Sequence, residues 1–302
     1  MNRRTFISTT SAAVAGLSLG NTAFAFQPAA AAPPVTSFTE LRRGVGMFSG
    51  TGGTIGYLVN TDGAVAVDSQ FMNTAEICAA GLKQRAPKGI AMLLNTHHHG
   101  DHTGGNKAYG VSKIVAHANC LKSHKAVTEE ARTVDQQAYA TATFTDTWTE
   151  RFGDETIEGR YYGAAHTSGD AVFHFQRANV MHMGDLLFNR AHPNIDRPQG
   201  ASVANWIKVL EAVSNRATND TIFIAGHAKD NAVRNTKAEV MHFRNYLTAV
   251  LEHARAGAKA GQSKEEVQKL PALKGFEDNV SPNARLTLAF VLGICYDEVT
   301  AK

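Results

Sequence analysis

The segment NTHHHGDHTGGN, residues 95–106, concentrates side chains that can bind metal ions. Four histidines and one aspartate occupy six consecutive positions there, 97–102. Imidazole is the commonest neutral nitrogen ligand of metals in proteins, and a carboxylate adds a hard oxygen ligand. In extended backbone, residues two positions apart point to the same side. His97 and His99 are therefore predicted to converge on one ion, while His98 points elsewhere.

The second part of this segment is predicted to serve a neighbouring position. Asp101 and His102 follow within three residues of His99, so their side chains can reach a second ion close to the first. Gly100, Gly104 and Gly105 allow the tight turn and the close backbone approach that a crowded site requires. The segment therefore predicts a metal site rather than a solvated polar loop.

Two ions need more ligands than this segment offers, and three later residues can supply them. His166 lies in GAAHTSGD, Asp185 in HMGDLLF and His227 in IAGHA. Each is predicted to lie at the end of a strand or just past it. Strand ends let a rigid sheet present side chains to a shared cleft, so we expect these three residues to complete the site.

The motif THHHGDH resembles the His-x-His-x-Asp-His motif of the metallo-β-lactamase superfamily, and the later His, Asp and His follow in that family's order. The resemblance covers about Val45 to His227. It implies a four-layer αββα sandwich of the α/β class that binds two Zn²⁺ ions, with iron or manganese as less favoured metals. By resemblance, the first metal binds His97, His99 and His166, the second binds Asp101, His102 and His227, and Asp185 bridges the two.

Such a pair of ions implies hydrolytic chemistry. Two zinc ions about 3.5–4 Å apart share a bridging water, and zinc lowers the pKa of a bound water to about 7. Asp101 is the predicted catalytic residue, because it can orient the resulting hydroxide for attack on a carbonyl carbon. The expected substrate is a small molecule with an ester, thioester, lactone or amide bond. A β-lactam is one candidate, although β-lactamases of this superfamily usually carry Cys or Ser near the position of Asp185.

Two other functions fit parts of the pattern. An iron-dependent redox member of the same superfamily, acting on sulfur compounds or oxygen, would use a similar histidine set. The oxygen-reducing diiron branch carries Glu where this chain has His99, which argues against that branch. A binding protein that has lost activity is disfavoured, because the whole set of seven candidate ligands is present.

Several polar residues outside the ligand set have open roles. Asp68, in VAVDSQ, resembles a family aspartate that orients a ligand histidine, although a plain strand-end turn explains it equally well. His192 is a candidate for lining the cleft, and Asn189 is a candidate for holding a substrate oxyanion. His174 and His182 alternate with apolar neighbours and are predicted to pack within strands.

The elements that must position these residues form two sets of strands and helices. TIGYLVN and AVAVD predict a hairpin with the turn TDG, and GIAMLLNT predicts a strand that leads into the histidines. A helix is predicted at about 203–217 with Ser202 as its N-cap, and a long helix at about 232–258. Ser263 and Glu266 predict a capping box, and Ser281-Pro282 predicts the start of the last helix. Two packed sheets with helices outside accommodate this order.

The N-terminus predicts export of a folded protein. Residues 1–25 carry twin arginines, a weakly apolar run and the small-x-small site Ala23-Phe24-Ala25, which resemble a twin-arginine signal peptide of a bacterial periplasmic protein. Residues 26–40 are predicted to be a linker, and residues 41–302 the catalytic domain.

Composition indicates a globular protein and argues against some partners. The net charge of +3 falls to +1 once the two signal arginines are removed, so nucleic acid is an unexpected partner, as is a membrane after signal removal. The oligomeric state is left open. Cys78, Cys120 and Cys295 are widely spaced, which favours buried free thiols while leaving one disulfide open.

Overall fold

The computed structural model describes residues 34–301, so the predicted signal peptide, residues 1–25, lies outside the described residues. The first strand begins at Ser37, which places residues 37–40 of the predicted linker in a sheet. No helix among residues 34–301 is long and apolar enough to cross a membrane.

A seven-stranded sheet contains the strand that leads into the histidine segment. Its spatial order follows the chain order, and its first four strands are antiparallel whereas the last three join in parallel. The predicted hairpin is confirmed as the third and fourth strands. The strands are β1 (Ser37–Arg42), β2 (Val45–Ser49), β3 (Ile55–Asn60), β4 (Gly63–Val67), β5 (Ile90–Asn95), β6 (Ile114–His117) and β7 (Ala142–Phe144).

A six-stranded sheet carries the later candidate ligands. The strands are β8 (Thr147–Phe152), β9 (Glu155–Tyr161), β10 (Ala171–Phe175), β11 (Val180–Asn189), β12 (Ile222–Ala228) and β13 (Arg234–Asn235). Each strand pairs with the next one along the chain. The β11–β12 pair is parallel, and the other pairs are antiparallel.

Helices cover the outer face of each sheet. α1 and α3 pack on the first sheet, and α5, α6 and α8 pack on the second. The helices are α1 (Met72–Arg85), α2 (Gly100–Thr103), α3 (Asn106–Tyr109), α4 (Ala118–Glu130), α5 (Val203–Arg216), α6 (Lys237–Lys259), α7 (Lys264–Val267) and α8 (Leu288–Thr300).

The sequence of β4 shows why the molecule has four layers. Side chains alternate between the two faces of a strand. Val65 and Val67 pack between the two sheets, whereas Ala64 and Ala66 pack against α1, and all four are fully buried. Complete burial of a valine stabilises the fold by about 1.5–3 kcal/mol. Both faces of the sheet are therefore covered, which confirms the predicted αββα sandwich.

Helix starts were predicted with mixed success. Ser202 caps α5 by accepting a hydrogen bond from the backbone of Asn205, and the capping box before α7 is present. The long helix begins at Lys237 rather than near 232, because residues 229–235 form a short 3₁₀ turn and β13 before a capping box at Thr236.

The predicted start of the last helix at Ser281-Pro282 is wrong. α8 begins at Leu288, where the Thr287 hydroxyl accepts the capping hydrogen bond from the backbone of Phe290. The preceding residues are held away from helical geometry, because Val280 forms backbone hydrogen bonds to Arg190 and His192.

The three cysteines are all free and buried, as the favoured prediction held. Cys78 packs between α1 and the first sheet, and Cys295 lies among α6, α8 and the second sheet. Burial raises the pKa of the Cys78 thiol to about 12, so this thiol stays protonated and unreactive.

Candidate metal centre

The turn after β5 places the histidine segment at the edge of the first sheet. Asn95, the last residue of β5, exchanges side-chain hydrogen bonds of 3.0 and 3.1 Å with Asn106, and these bonds close the loop between them. A Cβ atom at Gly105 would lie 2.2 Å from Cβ of Ala75 and 2.5 Å from the carbonyl oxygen of Ser69. The predicted close backbone approach is therefore real at Gly105, whereas Gly100 faces open space.

Three histidines converge on one point, and we refer to them as the three-histidine cluster. Nδ1 of His99 lies 3.2 Å from Nε2 of His97 and 3.0 Å from Nε2 of His166. His166 comes from the loop between β9 and β10, where its ring packs 5.5 Å from the buried Trp206 ring. These atoms form a group that could hold a metal ion together with Asp185.

A second group, the mixed cluster, consists of Asp101, His102 and His227. Nε2 of His227 lies 3.1 Å from Oδ2 of Asp101, and Nε2 of His102 lies 3.7 Å from the same oxygen. Asp101 and His102 lie on α2, whereas His227 lies near the end of β12. The structure therefore brings together residues that are more than a hundred positions apart in sequence.

Asp185 lies between the two clusters. Its Oδ1 atom is 2.9 Å from His102 Nε2 and 3.4 Å from His227 Nε2, whereas its Oδ2 atom is 3.4 Å from His166 Nε2. Asp185 is in the interior of β11 rather than at the predicted strand end. The pairing of β11 with β12 is irregular there, with the register shifting between Gly184 and Phe188.

Hydrogen bonds on the far side of the rings fix the orientation of the three-histidine cluster. The Thr96 hydroxyl donates to Asp68, so it accepts from Nδ1–H of His97 at 3.0 Å. Nδ1–H of His166 donates to the carbonyl oxygen of Asn194 at 2.9 Å. His99 donates from Nε2 to a carboxylate oxygen of Asp196 at 2.8 Å. Each ring therefore presents a bare nitrogen lone pair to the cluster, as metal binding requires.

Asp68 holds the mixed cluster in the same way, which is the orienting role that the sequence suggested. Its Oδ2 atom accepts from Nδ1–H of His102 at 2.8 Å, and its carboxylate also accepts from the backbone and hydroxyl of Thr96. Asp68 is fully buried and has a positive φ of 64°, a conformation that Asp and Asn tolerate better than most residues.

The electrostatics of the two clusters differ. Burial lowers the pKa of His97 well below its usual range and lowers that of His166 to about 3. Burial also disfavours charge on His102 and His227, but the carboxylates around these rings, Asp185 first, outweigh it and raise both pKa values. In the absence of a metal, protons therefore occupy the mixed cluster more readily than the three-histidine cluster.

Two atoms at the centre of the site indicate that a cation fits there. His102 Nε2 and Asp185 Oδ1 are buried and face each other at 2.9 Å, yet their geometry does not permit a hydrogen bond within the described residues. A buried polar atom without a partner costs about 1–3 kcal/mol. A divalent cation with nitrogen and oxygen ligands would satisfy both atoms, so the donor set fits divalent metal binding.

His98 and His182 lie close to polar groups outside the two clusters. His98 Nε2 lies 3.8 Å from Asp196 Oδ2 and belongs to neither cluster, although His98, His99 and Asp196 form a third group whose ligand atoms are close enough to hold a cation. His182 bonds the carbonyl oxygen of Thr54, which agrees with its predicted packing role.

Two candidates for the cleft are absent from it. Nδ1 of His192 lies 2.7 Å from the Tyr246 hydroxyl, in the interior behind the second sheet. The Asn189 amide donates to the carbonyl oxygen of Ala232, so it is not free to hold an oxyanion. Neither residue lines the cleft, because its polar group has a partner elsewhere in the fold.

A cleft of about 420 Å³ opens above the clusters. Asp101, Asp185 and His227 line it, as do Phe71, Asn194 and Arg285. Sequence reasoning did not identify Asn194, Asp196 or Arg285, because no local pattern distinguishes an isolated Asn, Asp or Arg in a loop from a solvated one.

Comparison with known proteins agrees with this geometry. The sequence profile of the metallo-beta-lactamase superfamily matches residues 50–227, a range that contains every residue of both clusters. Metallo-beta-lactamase IND-1 of Chryseobacterium indologenes is 23% identical over 198 residues, which cover 65% of this chain and 80% of that protein.

Solved structures share the fold. A metallo-beta-lactamase from Pontibacter korlensis superposes with a TM-score of 0.60 at 16% identity, over 71% of this chain and 99% of that one. The sec-alkylsulfatase Pisa1 from Pseudomonas sp. gives a TM-score of 0.68 at 14% identity over 88% of this chain. This chain spans half the length of the alkylsulfatase, so the likeness concerns one part of that protein.

Proposed function

This chain belongs to the metallo-beta-lactamase superfamily, and from that membership we propose that it is an exported dinuclear zinc hydrolase. The family and the His/Asp clusters support a metal-dependent hydrolase. The proposal adds the number and identity of the ions, the ligand of each ion and the bond that is cleaved.

The observation that carries the proposal is the pair of clusters joined by Asp185. Seven side chains are too many for a single tetrahedral ion but suit two ions that share one carboxylate. The three-histidine cluster would hold one ion and the mixed cluster the other. When bound, a pair of zinc ions supplies a nucleophile at neutral pH and polarises the bond under attack.

The chain itself would orient the reaction through Asp101. Its side chain borders the cleft and is partly exposed, unlike the fully buried His102. Burial opposes ionisation of Asp101, but the neighbouring His102 and His227 lower its pKa to about 2, so the carboxylate is charged at neutral pH. A charged carboxylate at this place can accept a hydrogen bond from the attacking water and fix its direction.

Export remains part of the proposal. The twin arginines and the Ala-Phe-Ala site in residues 1–25 support it. Replacement of Arg3 and Arg4 by Lys should retain the precursor in the cytoplasm, as fractionation of the host cell would detect. An unchanged periplasmic yield would contradict export by this route.

Metal analysis and a substrate panel test the function. Residues 26–302, loaded with zinc, should contain two zinc ions per chain and hydrolyse at least one of a β-lactam, a lactone, a thioester and a carboxylic ester. A secondary alkyl sulfate belongs in the panel, because the Pseudomonas neighbour is named for that activity. Removal of metal by a chelator should abolish turnover and added zinc should restore it. One iron and no zinc in protein purified without added metal would favour the redox alternative.

A further inference from the structure

Half of the residues that line the cleft beyond the clusters lie outside the range of the family match. The matched range ends at residue 227, whereas Pro282, Asn283, Arg285 and Leu286 line the cleft from the segment before α8. Phe71, at the start of α1, adds an apolar surface and is 44% exposed. These residues are therefore candidates for the part of the site that selects the substrate.

Arg285 is the charged member of that segment. Its guanidinium Nη2 donates to the side-chain oxygen of Asn194 at 3.1 Å, and its Cζ lies 5.8 Å from the centre of the Phe290 ring. No carboxylate within residues 34–301 lies within 4.0 Å of this guanidinium. Arg285 thus presents a positive charge to the cleft without an internal counter-ion.

Asn194 connects this cation to the three-histidine cluster. Its backbone oxygen holds Nδ1–H of His166, while its side-chain oxygen accepts from Arg285. One residue therefore contacts both a candidate metal ligand and the guanidinium. A molecule that reaches the clusters through the cleft passes within reach of Arg285.

The segment that carries Arg285 is well anchored. Val280 bonds the backbone of Arg190 and His192, and the Asn283 side chain accepts from the backbone of Arg285 and Leu286 at 2.9 and 3.0 Å. Leu286 is 7% exposed and fixes the far end of the segment. The backbone that carries Arg285 is therefore anchored before a ligand binds, and the hydrogen bond to Asn194 orients its exposed guanidinium. Such ordering lowers the entropy lost on binding.

We propose that Arg285 is a specificity-determining residue and that the substrates are organic anions, with an oxyanion group that binds Arg285 and an apolar part that contacts Phe71. A guanidinium presents a planar fork of donors that matches a carboxylate or a sulfate. With metal bound, the charges of Asp101 and Asp185 are neutralised, so the cleft as a whole attracts anions. This inference rests on the proposed hydrolase function.

Matched substrate pairs test the inference. A cephalosporin and its methyl ester share one scissile bond and differ in one negative charge, as do p-nitrophenyl hemisuccinate and its methyl ester. Arg285→Gln should lower the ratio of kcat/KM for the anionic over the neutral substrate by about 10–100-fold, mainly through KM, because a charge-assisted hydrogen bond is lost. Arg285→Lys should retain a higher ratio than Arg285→Gln, since it keeps the charge.

Controls separate this inference from the proposed function. Arg255→Gln removes an exposed arginine on α6 and should leave the ratio unchanged. Calorimetry of glutarate binding to the zinc-loaded protein needs no turnover, and Arg285→Gln should weaken that binding by about tenfold or more. If no substrate is hydrolysed but glutarate binding depends on Arg285, the hydrolase proposal fails and the anion site stands. Equal ratios and equal glutarate affinities in wild type and Arg285→Gln would overturn the inference.

Discussion

The two clusters meet at one carboxylate but are built differently. In the three-histidine cluster, His97 and His166 are buried and their pKa values are lowered. In the mixed cluster, Asp101 and His227 are 27% and 29% exposed at their side chains. Partial desolvation of the His227 ring opposes its charge, but Asp185 and Asp101 outweigh this and raise its pKa. The first cluster is suited to hold an ion firmly, and the second to hold an ion near the substrate and exchange protons with the cleft.

The difference extends to the residues behind the ligands. Each ring of the three-histidine cluster is anchored by a separate partner, namely Thr96, Asp196 or the backbone of Asn194. In the mixed cluster, His102 is anchored by Asp68, whereas the His227 ring stacks on Phe188 at 5.4 Å. More rings are therefore fixed by hydrogen bonds in the three-histidine cluster than in the mixed cluster. Substitutions and acid should affect the two clusters unequally.

The strongest perturbation removes the shared carboxylate. Asp185→Asn keeps the size of the side chain but removes its charge and one strong ligand oxygen, so both proposed ions would lose a common ligand. Zinc content should fall below two per chain, with the mixed cluster emptied first, and turnover should fall by more than about 100-fold and recover in part with excess zinc. Elemental analysis and kinetics measure both effects. Asp154→Asn, on the exposed surface, is the control. Two retained zinc ions and full turnover would refute the bridging role.

Substitution of the two orienting carboxylates should distinguish the clusters. Asp68→Asn should weaken zinc binding mainly at the mixed cluster, through His102, with a smaller effect on His97 through Thr96. Asp196→Asn should weaken it at the three-histidine cluster, and each loss should be roughly 10–100-fold. Asp68→Asn should have the larger effect, because Asp68 is fully buried and accepts from Thr96 as well as His102, whereas Asp196 is 19% exposed. Competition with a chromophoric chelator measures both affinities. A larger effect of Asp196→Asn would show that burial of the orienting carboxylate does not set the size of the loss.

Acid should empty the clusters in sequence. The raised pKa values of His102 and His227 mean that these rings retain protons to a higher pH than His97 and His166 do. Because protons compete with metal, zinc should leave the mixed cluster first as the pH falls from about 8 to 5, and the three-histidine cluster at lower pH. Zinc content after dialysis at each pH would reveal two steps. Loss of both ions in one step would show that protons compete with metal equally well at the two clusters.

The smallest expected effect concerns the ring behind His227. Phe188→Leu keeps an apolar side chain but removes the stacked contact with His227 and the tilted contact with His166 at 5.9 Å. The free energy of unfolding should fall by at least about 0.5–1.5 kcal/mol, the usual worth of one aromatic pair, because Phe188 also contacts the rings of Trp206 and Phe243. Denaturant unfolding of the metal-free protein measures this change. A loss of zinc from the three-histidine cluster alone would contradict the view that Phe188 mainly supports the His227 ring.

The sequence identified the seven candidate ligands but not the residues that orient them. The seven candidate ligands could be predicted because four of them occur within six residues, 97–102, and the other three lie in or near strands whose apolar patterns are clear. Asp196 is 97 positions from His99, and no local pattern connects the two. Long-range partners of this kind depend on the packing of loops on a finished fold.

The fold also divides into features that local sequence patterns predict and features that depend on long-range contacts. The β3–β4 hairpin and the capped helix α5 follow from turn and capping residues that act locally. Ser281-Pro282 is an equally good local start signal, yet the chain there is bound to Arg190 and His192 through Val280 and forms part of the cleft. Tertiary hydrogen bonds overrode local preference at the segment that we propose selects the substrate.

The central claim is that Asp185 joins two metal sites of different character. Anomalous X-ray diffraction at the zinc edge, on crystals of the zinc-loaded protein, tests it most directly. The account predicts two peaks, one among His97, His99 and His166 and the other among Asp101, His102 and His227, with one Asp185 oxygen bound to each ion. A single peak, or a second peak beside His98 and Asp196 instead of at the mixed cluster, would contradict it.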